Sequence, residues 1–312
     1  MEHWELKQMQ SLPLEAKIVK TQQRIREWYE HWDGEVYVSF SGGKDSTVLL
    51  HLVRELYPDV EAVFVDTGLE YPEIKQFVKT IDNVTTIRPA MKFHEVIEKY
   101  GYPVIGKQVA NAVEVARRNS ESVKYKQITG TYKDKQGNKS LFNYSKYKYL
   151  TSAPFKISDK CCDVIKKRPI KAYNKKSGKK AIVGTMASES MLRVQKYLQS
   201  GCNGFTMKSP LSQPVGFWLE SDIWEYIAKF KIPYSDIYNK GYKRTGCMFC
   251  MFGVHLEKGL NRFQLMQQTH PKQYDYCINK LGIGKVLDFI GVDYVEKQTN
   301  LIDYIKTLGE SE

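Results

Sequence analysis

The sequence predicts an α/β protein: a mostly parallel, twisted sheet with helices on both faces, plus a helical carboxy-terminal subdomain. The first observation is that short β-rich segments alternate with amphipathic helical segments between residues 34 and 117. The second is that 312 residues, of which 42% are hydrophobic, suffice for a substantial core. The third is a mainly helical pattern from Glu220 onward. Because parallel strands need long crossovers, such alternation predicts helices on both faces of the sheet.

Each element follows from the spacing of its apolar residues and from the glycine and proline breaks between segments. In chain order we expect a helix over 13–32, a strand over 36–40, a helix from Ser46, a strand over 60–65, a helix over 72–81, a strand over 84–87, helices over 93–100 and 106–117, a strand over 181–184 and a helix after Ala187. Ser221 is expected to cap the next helix, IWEYIAKF. The alternation stops for about 60 residues after 117, which indicates an insertion or a functional loop.

Three regions are expected from these elements. Residues 1–33 form an amino-terminal helical arm, and residues 34–219 form a nucleotide-binding α/β domain with a basic insertion at about 118–160. Residues 220–312 form a helical carboxy-terminal subdomain that carries a Cys-x-x-Cys motif.

The positive charge of the chain is concentrated in one segment. The formal net charge is +12, yet residues 117–180 hold 19 basic and 4 acidic residues, a net charge of +15, and the remainder has a net charge of −3. No run approaches the ~18 apolar residues that a membrane span needs, and the amino terminus is charged from its second residue. We therefore expect no membrane partner, a cytoplasmic location and reduced cysteines.

A glycine loop between a strand and a helix predicts a phosphate site. The segment SFSGGKDSTVLL places two glycines where backbone N–H groups approach an anion, ahead of the positive end of a helix. Lysine supplies a cation, the serines supply hydroxyls, and the aspartate suits Mg²⁺. The spacing is not that of a Walker A loop. The candidate residues are Ser39, Ser41, Gly42, Gly43, Lys44, Asp45 and Ser46.

Two further turns end predicted strands of the same sheet. Asp66, Thr67 and Gly68 follow one strand, and we expect Thr67 and Gly68 to contact base, ribose or phosphate. A plain turn is the alternative. Gly184 and Thr185 lie at the turn after another strand, and Arg193 lies in the helix predicted after that turn. We expect these three residues to bind an anion together.

Four cysteines indicate a metal centre. Cys161 and Cys162 are adjacent, and Cys247 and Cys250 form a Cys-x-x-Cys motif. Two thiolates at that spacing converge on one centre, and neighbouring cysteines suit a 4Fe-4S cluster better than a single zinc ion. Structural zinc and unligated thiols remain alternatives. Basic neighbours such as Lys160, Lys166 and Lys167 would offset the negative thiolates.

These motifs together resemble one family. SGGKDS resembles the PP-loop of the N-type ATP pyrophosphatases, which cleave ATP to AMP and pyrophosphate. VDTGLEYPEI, GTMASESMLR and PVGFWLESDIWEYIAKFKIPYSDIYNKGYKRTGCMFC resemble segments of the phosphoadenosine phosphosulfate reductase family within that superfamily. The resemblance implies an adenine nucleotide alpha hydrolase-like fold, a nucleotide at the PP-loop and an anion at Arg193. DKCCDVIKKRPIKAY resembles the 4Fe-4S segment of the adenosine phosphosulfate reductases.

The sequence departs from those reductases in two respects. The last cysteine is Cys277, so the catalytic cysteine that the family carries near its carboxy terminus is missing, and the GGKDS loop is intact where theirs is degenerate. Both departures favour ATP activation, with Lys44, Asp45 and Arg193 as catalytic residues. The leading function is ATP-dependent sulfur transfer, as in the related sulfurtransferases of DNA phosphorothioation and tRNA thiolation. The cofactors would be a 4Fe-4S cluster, ATP and Mg²⁺.

Two alternatives stay open. One is a reductase of adenosine phosphosulfate or its 3′-phospho form, which would release sulfite with Cys202 or an external thiol in place of the missing nucleophile. The other is a non-catalytic nucleotide-binding partner of a DNA-modification system. Expected partners are an adenine nucleotide and a sulfur donor or thiol reductant protein.

The basic insertion adds a possible polyanion partner. KYKQITGTYKDKQGNKSLFNYSKYKYL interleaves lysines with tyrosines, which places cations for phosphates beside rings for base stacking. We expect it to bind DNA or RNA. The alternative is a solvated insertion with an Asp-Lys-Gln-Gly-Asn turn.

Overall fold

The structure is a computed structural model that describes residues 2–140 and 142–296. The described chain forms two compact units. The first holds the chain up to Lys92 together with Cys162–Gly246, and the second holds Phe93–Cys161 and the described residues from Cys247 on. The arm, domain and subdomain expected from the sequence stay a prediction, since compactness alone does not test which segments fold independently.

The described strands and helices are numbered in chain order. The strands are β1 Val36–Phe40, β2 Ala62–Val65, β3 Val84–Ile87, β4 Val104–Ile105, β5 Lys180–Val183, β6 Asn203–Gly204, β7 Leu211–Ser212 and β8 Met251–Phe252. The α-helices are α1 His3–Gln10, α2 Leu14–His31, α3 Lys44–Arg54, α4 Pro72–Lys79, α5 Phe93–Lys99, α6 Lys107–Ala116, α7 Val123–Thr129, α8 Arg168–Ser177, α9 Met191–Ser200, α10 Glu220–Phe230, α11 Arg262–Thr269, α12 Pro271–Asp275 and α13 Ile283–Phe289.

A six-stranded sheet forms the centre of the first unit. Its order is β3-β2-β1-β5-β7-β6, and every neighbouring pair is parallel except β6 and β7. In the register, Ser39 of β1 lies opposite Val63 of β2 and Val183 of β5. The mostly parallel sheet predicted from the sequence is confirmed, and β1 lies inside it, so its carboxyl end is flanked by the ends of β2 and β5.

Helices pack on both faces of this sheet. On one face Tyr37 and Ala181 form a buried cluster, against which Tyr173 of α8 packs edge-on to Tyr37 with ring centroids 5.1 Å apart. On the other face Phe40 contacts Phe77 of α4, with centroids 6.4 Å apart. Side chains alternate between the faces along a strand, so one five-residue strand serves both layers.

Two helix starts differ from the prediction. The helix expected from Ser46 begins at Lys44 with Gly43 as its cap, so the lysine and the aspartate of the glycine loop lie in the first helical turn. The helix expected to be capped by Ser221 begins at Glu220 instead. There the Asp222 carboxylate accepts the backbone N–H of Leu219 at 2.7 Å, which supplies the N-terminal partner that Ser221 was expected to provide.

The amino-terminal helices are part of the first unit. On α2, Lys17 is 1% exposed and its ammonium lies 2.6 Å from Asp222 of α10. The hydroxyl of Thr21 accepts the indole N–H of Trp218 at 2.9 Å. These buried polar contacts fix the start of α10 against the arm.

The second unit contains the basic insertion. β4 pairs with β8 in parallel, and Tyr102 forms a parallel bridge with Ile157. Arg117 donates hydrogen bonds to the backbone oxygens of four residues between 150 and 155. The Asp134 carboxylate accepts the N–H of Gln136 and of Asn138, which forms the tight turn expected for this insertion.

Two sequence-based expectations concern the whole chain. Within residues 2–140 and 142–296, no helix combines the length and apolar character needed to cross a bilayer. Residues 297–312, where the family resemblance would place a catalytic cysteine, lie outside the described residues.

We predict that the pair between α2 and α10 is a strong determinant of stability. Replacing Lys17 with Met leaves a buried carboxylate without its cation and should lower the free energy of unfolding by about 3–5 kcal/mol. Lys229→Met is the matched control, because Lys229 pairs with Glu15 between the same two helices at the surface, and it should leave the urea midpoint unchanged. Equal midpoint shifts in the two variants would contradict the prediction.

Candidate functional site

The loop between β1 and α3 is held by its own serines. The Ser46 hydroxyl accepts the backbone N–H of Ser41 at 3.1 Å and lies 2.9 Å from the carbonyl oxygen of Gly43, to which it donates. The Ser41 hydroxyl accepts the N–H of Gly43 at 3.3 Å. The hydroxyls and backbone amides predicted to bind phosphate therefore lie together at the amino end of α3, where the helix dipole favours an anion.

Both glycines of the loop are required by close contacts. Gly42 has a φ of 71°, and a Cβ there would lie 2.8 Å from a methyl group of Val78. At Gly43 a Cβ would lie 2.6 Å from the hydroxyl oxygen of Thr245. The second glycine thus lets a segment about 200 residues away in sequence approach the loop.

Lys44 is buried at the head of α3 and surrounded by charged and aromatic groups. Its Nζ lies 3.1 Å from Glu220 and 3.5 Å from Asp45, and its backbone N–H donates to the hydroxyl of Tyr238 at 2.7 Å. The ammonium also lies 5.6 Å from the ring centroid of Tyr238 and 5.9 Å from that of Trp224. Burial alone would lower the pKa of Lys44, but the charges of Asp45, Glu220 and Tyr238 outweigh it and raise the pKa.

Asp45 carries the polar atom that suits a cation. Burial raises the pKa of its carboxyl group, and the charge of Lys44 only partly offsets this effect. Its buried Oδ1 lies 3.5 Å from the Lys44 ammonium and has no closer donor within the described part of the chain. A buried carboxylate oxygen with such weak compensation fits a divalent cation bound between protein and phosphate.

The turn after β5 lies against the same helix start. A Cβ on Gly184 would lie 3.0 Å from the carbonyl oxygen of Asp45, so glycine permits this approach. The Thr185 hydroxyl donates to the side chain of Gln213 at 3.2 Å. Gly184 therefore joins the loop residues, whereas the hydroxyl of Thr185 is engaged by Gln213, the residue after β7.

Arg193 lies in the first turn of α9 and pairs with Glu189. Partial burial and the nearby charge of Arg244 lower the pKa of Arg193, and Asp45 opposes this shift. Arg193 lies within electrostatic range of Asp45 at the head of α3, and Arg244 lies within range of Arg193, which fits the anion site that the sequence predicted at Arg193.

The turn after β2 satisfies its own donors. Asp66 pairs with Lys75 at 2.7 Å and with Arg88 at 3.3 Å, and it accepts the N–H of Gly68. Partial burial opposes ionisation of Asp66, but the hydrogen bonds and charge of Lys75 outweigh it and lower the pKa. The N–H and the hydroxyl of Thr67 both donate to the Glu70 carboxylate.

A pocket of about 160 Å³ opens beside the phosphate loop. It lies at the carboxyl ends of β1 and β2, where open parallel sheets bind their ligands. Its walls combine apolar side chains with a few polar groups, as expected of a nucleoside site. The lining residues are Ser39, Phe40, Ser41, Phe64, Val65, Glu70, Ile74, Lys166, Ile170, Thr245 and Gly246.

Sequence reasoning missed four residues that surround the loop. Glu220, Trp224, Tyr238 and Thr245 contact the loop or Lys44 from a distant part of the chain. A signal was present, because all four lie in the long segment between 214 and 250 that resembles the family signature. The resemblance gave no role to the individual residues.

The four cysteines expected to hold a cluster fit by type. Cys161 is buried and the others are half-buried. The N–H of Cys250 donates to the carbonyl oxygen of Cys247 at 3.1 Å, which closes the Cys-x-x-Cys turn. Cys161 and Cys162 begin a helical segment that continues through a π-helical turn, Asp163–Lys167. All six cysteines are described and none forms a disulfide.

The four cysteines are divided between the two compact units, with Cys162 in the first and Cys161, Cys247 and Cys250 in the second. Across the described ranges, no three His, Cys, Asp or Glu side chains lie close enough to hold one metal ion. The chain passes from one unit to the other between Cys161 and Cys162, and again between Gly246 and Cys247. The cluster ligands accordingly stay a prediction.

The two other cysteines are buried thiols. Burial raises the pKa of Cys202, whose sulfur lies 3.0 Å from the hydroxyl of Tyr197. Burial also raises the pKa of Cys277. A protonated, enclosed thiol is a poor nucleophile, which weighs against Cys202 as a substitute for the missing catalytic cysteine.

The insertion exposes its lysines more than its tyrosines. Lys126, Lys146 and Lys148 are exposed. Tyr144 donates to Gln108 at 2.9 Å, and Tyr147 lies within 3.3 Å of His255, so both hydroxyls are engaged within their own unit. The lysines are suited to phosphates, whereas base stacking is limited to the few exposed rings.

Comparison with known proteins identifies relatives of most of the chain. A protein-family model described as the phosphoadenosine phosphosulfate reductase domain matches residues 35–108 and 106–252. Protein MJ0973 of Methanocaldococcus jannaschii is 26% identical over 265 residues, which cover 82% of this chain and 51% of that protein. The chain thus spans about half the length of this curated relative.

An adenosine 5′-phosphosulfate reductase of Anoxybacillus flavithermus is 20% identical over 260 residues, 83% of this chain and 91% of that enzyme. Among solved structures, the phosphate complex of phosphoadenylyl-sulfate (PAPS) reductase from Candida auris is similar with a TM-score of 0.44 and 14% identity. That similarity covers 79% of this chain and 96% of the other.

We predict that Asp45→Asn separates stability from cation binding. The variant removes a charge that is costly to bury, so the melting temperature should stay equal or rise, while Mg²⁺ affinity in the presence of nucleotide falls by at least about tenfold. In the wild type, Mg²⁺ affinity should also weaken on acidification at a higher pH than an ordinary aspartate would give, because the raised pKa protonates the ligand earlier.

Differential scanning calorimetry and Mg²⁺ titration of nucleotide binding measure the two effects. Asp59→Asn, an exposed loop substitution, is the control. Unchanged Mg²⁺ affinity in Asp45→Asn would remove this residue from the metal site.

Proposed function

The chain belongs to the phosphoadenosine phosphosulfate reductase family, and from that premise we propose that it is an ATP-dependent sulfurtransferase. The observation that carries the proposal is the buried head of α3, where the Oδ1 of Asp45 has no donor among the described residues closer than the Lys44 ammonium at 3.5 Å. A cation, a cation ligand and a glycine loop together suit a polyphosphate with Mg²⁺.

The residues of the loop would act on the phosphates. The backbone amides and the Ser41 and Ser46 hydroxyls would exchange their internal partners for phosphate oxygens, and Lys44 would balance the negative charge. Asp45 would hold Mg²⁺ on those oxygens. Arg193 and Arg244 would neutralise charge on the phosphate that leaves. An acceptor oxygen would attack the α-phosphorus and release pyrophosphate, which leaves that oxygen bonded to AMP.

The acceptor oxygen, once bonded to AMP, becomes a good leaving group that a sulfur nucleophile can displace. A sulfide supplied by a donor protein would form the new carbon–sulfur or phosphorus–sulfur bond as the oxygen departs with AMP. Cys161, Cys162, Cys247 and Cys250 would hold a 4Fe-4S cluster by their thiolates. When bound, such a cluster would supply a site for carrying inorganic sulfur. Thiolate ligands require a reducing compartment, so we expect the protein to act in the cytoplasm.

A sulfonucleotide reductase is the second candidate. It is favoured by the similarity to adenosine 5′-phosphosulfate reductases over four fifths of this chain. The buried Cys202 is a weak replacement for a nucleophile, so this reaction would need an external thiol. Sulfite release from adenosine phosphosulfate, unaffected by Cys202→Ser, is its distinguishing result.

We predict that the anaerobically reconstituted protein contains about four iron atoms per chain and releases pyrophosphate from ATP when the right acceptor is present. Transfer RNA, duplex DNA and small thiolation acceptors form the panel. Cys250→Ser should lose the iron, and Cys202→Ser is the matched control that should keep it. Lys44→Met should keep the iron and lose pyrophosphate release.

Three outcomes separate the candidates. Sulfite release without use of ATP would favour the reductase. Tight ATP binding without turnover on any acceptor would favour a non-catalytic partner. An iron-free protein that binds no nucleotide would contradict both enzymatic proposals.

We further propose that the Lys/Tyr-rich insertion binds the nucleic-acid substrate through its phosphates. Changing Lys124, Lys126, Lys146 and Lys148 to Gln should abolish DNA or RNA binding and leave ATP binding intact. If about six lysines contact phosphates, wild-type affinity should fall by about two to three orders of magnitude over a fourfold rise in salt. Fluorescence anisotropy against salt measures both effects, and a flat salt dependence would mark the insertion as a solvated loop.

A further inference from the structure

The turn after β2 places a carboxylate, that of Glu70, in the pocket beside the phosphate loop. Thr67 and Gly68 are the residues that the sequence predicts to contact the nucleotide there. Thr67 is 5% exposed, and its N–H and hydroxyl donate to the Glu70 carboxylate at 3.0 and 2.6 Å. The Thr67 oxygen in turn accepts the N–H of Leu69 at 3.2 Å. The side chain expected to contact the nucleotide is thus used to position a carboxylate.

That carboxylate lines the pocket beside the phosphate loop. Glu70 shares the pocket with Ser39 and Ser41 of the β1 end and with the apolar side chains of Phe64 and Ile74. A nucleotide whose phosphates lie at the loop would extend its nucleoside into this space. The group that meets Glu70 must donate hydrogen bonds, because a carboxylate only accepts them.

The neighbouring carboxylate, that of Asp66, does not present an uncompensated charge. Asp66, four residues earlier, pairs with Lys75 and Arg88, so its charge is compensated on the spot. The hydrogen bonds of the Glu70 carboxylate come from neutral groups of Thr67, which orient the charge without cancelling it. The pocket therefore presents an oriented negative charge.

We propose that Glu70 is the specificity-determining residue of the nucleotide site: it accepts the ribose hydroxyls and excludes nucleotides that carry a 3′-phosphate. The assignment rests on the proposed function. A vicinal diol donates to a carboxylate in many dinucleotide sites, whereas a phosphate placed against Glu70 would bring like charges together in a half-buried pocket. The substrate class is then ATP or another adenosine 5′-nucleotide with a free diol.

Lys166 is the competing element in the same pocket. Its cation favours any additional phosphate, and so it acts against the discrimination that Glu70 imposes. The Glu70 carboxylate is fixed at the β2 turn by two short hydrogen bonds, which makes its repulsion local and directional. A substitution of Lys166 should therefore weaken the bisphosphate more than AMP and widen the preference for AMP, whereas a substitution of Glu70 should narrow it.

The test compares AMP with adenosine 3′,5′-bisphosphate by isothermal titration calorimetry of the full chain. The wild type should prefer AMP by about tenfold or more, the size expected for one like-charge contact. Glu70→Gln keeps an acceptor for Thr67 and should reduce the preference to about twofold or less, mainly through tighter binding of the bisphosphate. Lys166→Gln should weaken the bisphosphate more than AMP and so increase the preference, the opposite of the change in Glu70→Gln.

The outcomes distinguish this assignment from the function on which it rests. A bisphosphate that binds the wild type as tightly as AMP, or an unchanged ratio in Glu70→Gln, would overturn the role of Glu70 while ATP binding still supports the proposed function. Failure of ATP, AMP and the bisphosphate to bind would overturn the proposed function and this assignment together.

Discussion

The functional region depends on two opposite charges buried in the first turn of α3. Lys44 and Asp45 are adjacent in sequence, and burial disfavours the charged form of each. Lys44 is stabilised by Glu220 and by the rings of Trp224 and Tyr238. Asp45 has less compensation, which leaves a site for a cation. The surrounding segments bury this pair and supply the groups that stabilise its charged form.

The amino-terminal helices contribute to that arrangement indirectly, through the start of α10. Glu220 is the first residue of α10, and Asp222 in the same turn is held by Lys17 of α2. The buried ion pair therefore fixes the helix end from which Glu220 reaches Lys44. Strand order has a similar effect, because β1 lies between β2 and β5 and the turn at Gly184 reaches the helix start directly.

The sequence predicts what local periodicity and turn chemistry determine. The strands at 36–40 and 84–87 and the helix over 14–31 follow their patterns to within a residue, because each has a strong period and a clear break at its ends. The start of α3 at Lys44 was missed, since a glycine cap carries no side-chain signal for the first turn. The pairing of β4 with β8 joins two-residue segments separated by about 145 residues, and no local pattern specifies it. The same limit applies to Tyr238 and Thr245, whose position beside the loop depends on tertiary approach.

The electrostatics of the site differ from those of the chain as a whole. The net charge of +12 comes from residues 117–180, and the basic insertion within that segment belongs to the second unit. The nucleotide region of the first unit contains Asp45, Asp66, Glu70 and Glu220 beside its few cations. Attraction of a polyphosphate must therefore come from particular groups, namely Lys44, the backbone amides of the loop between β1 and α3, and the guanidinium groups of Arg193 and Arg244. Because acids and bases alternate around the loop and its pocket, the proposed site would reject an extra phosphate while it holds a triphosphate, a distinction that overall charge would not provide.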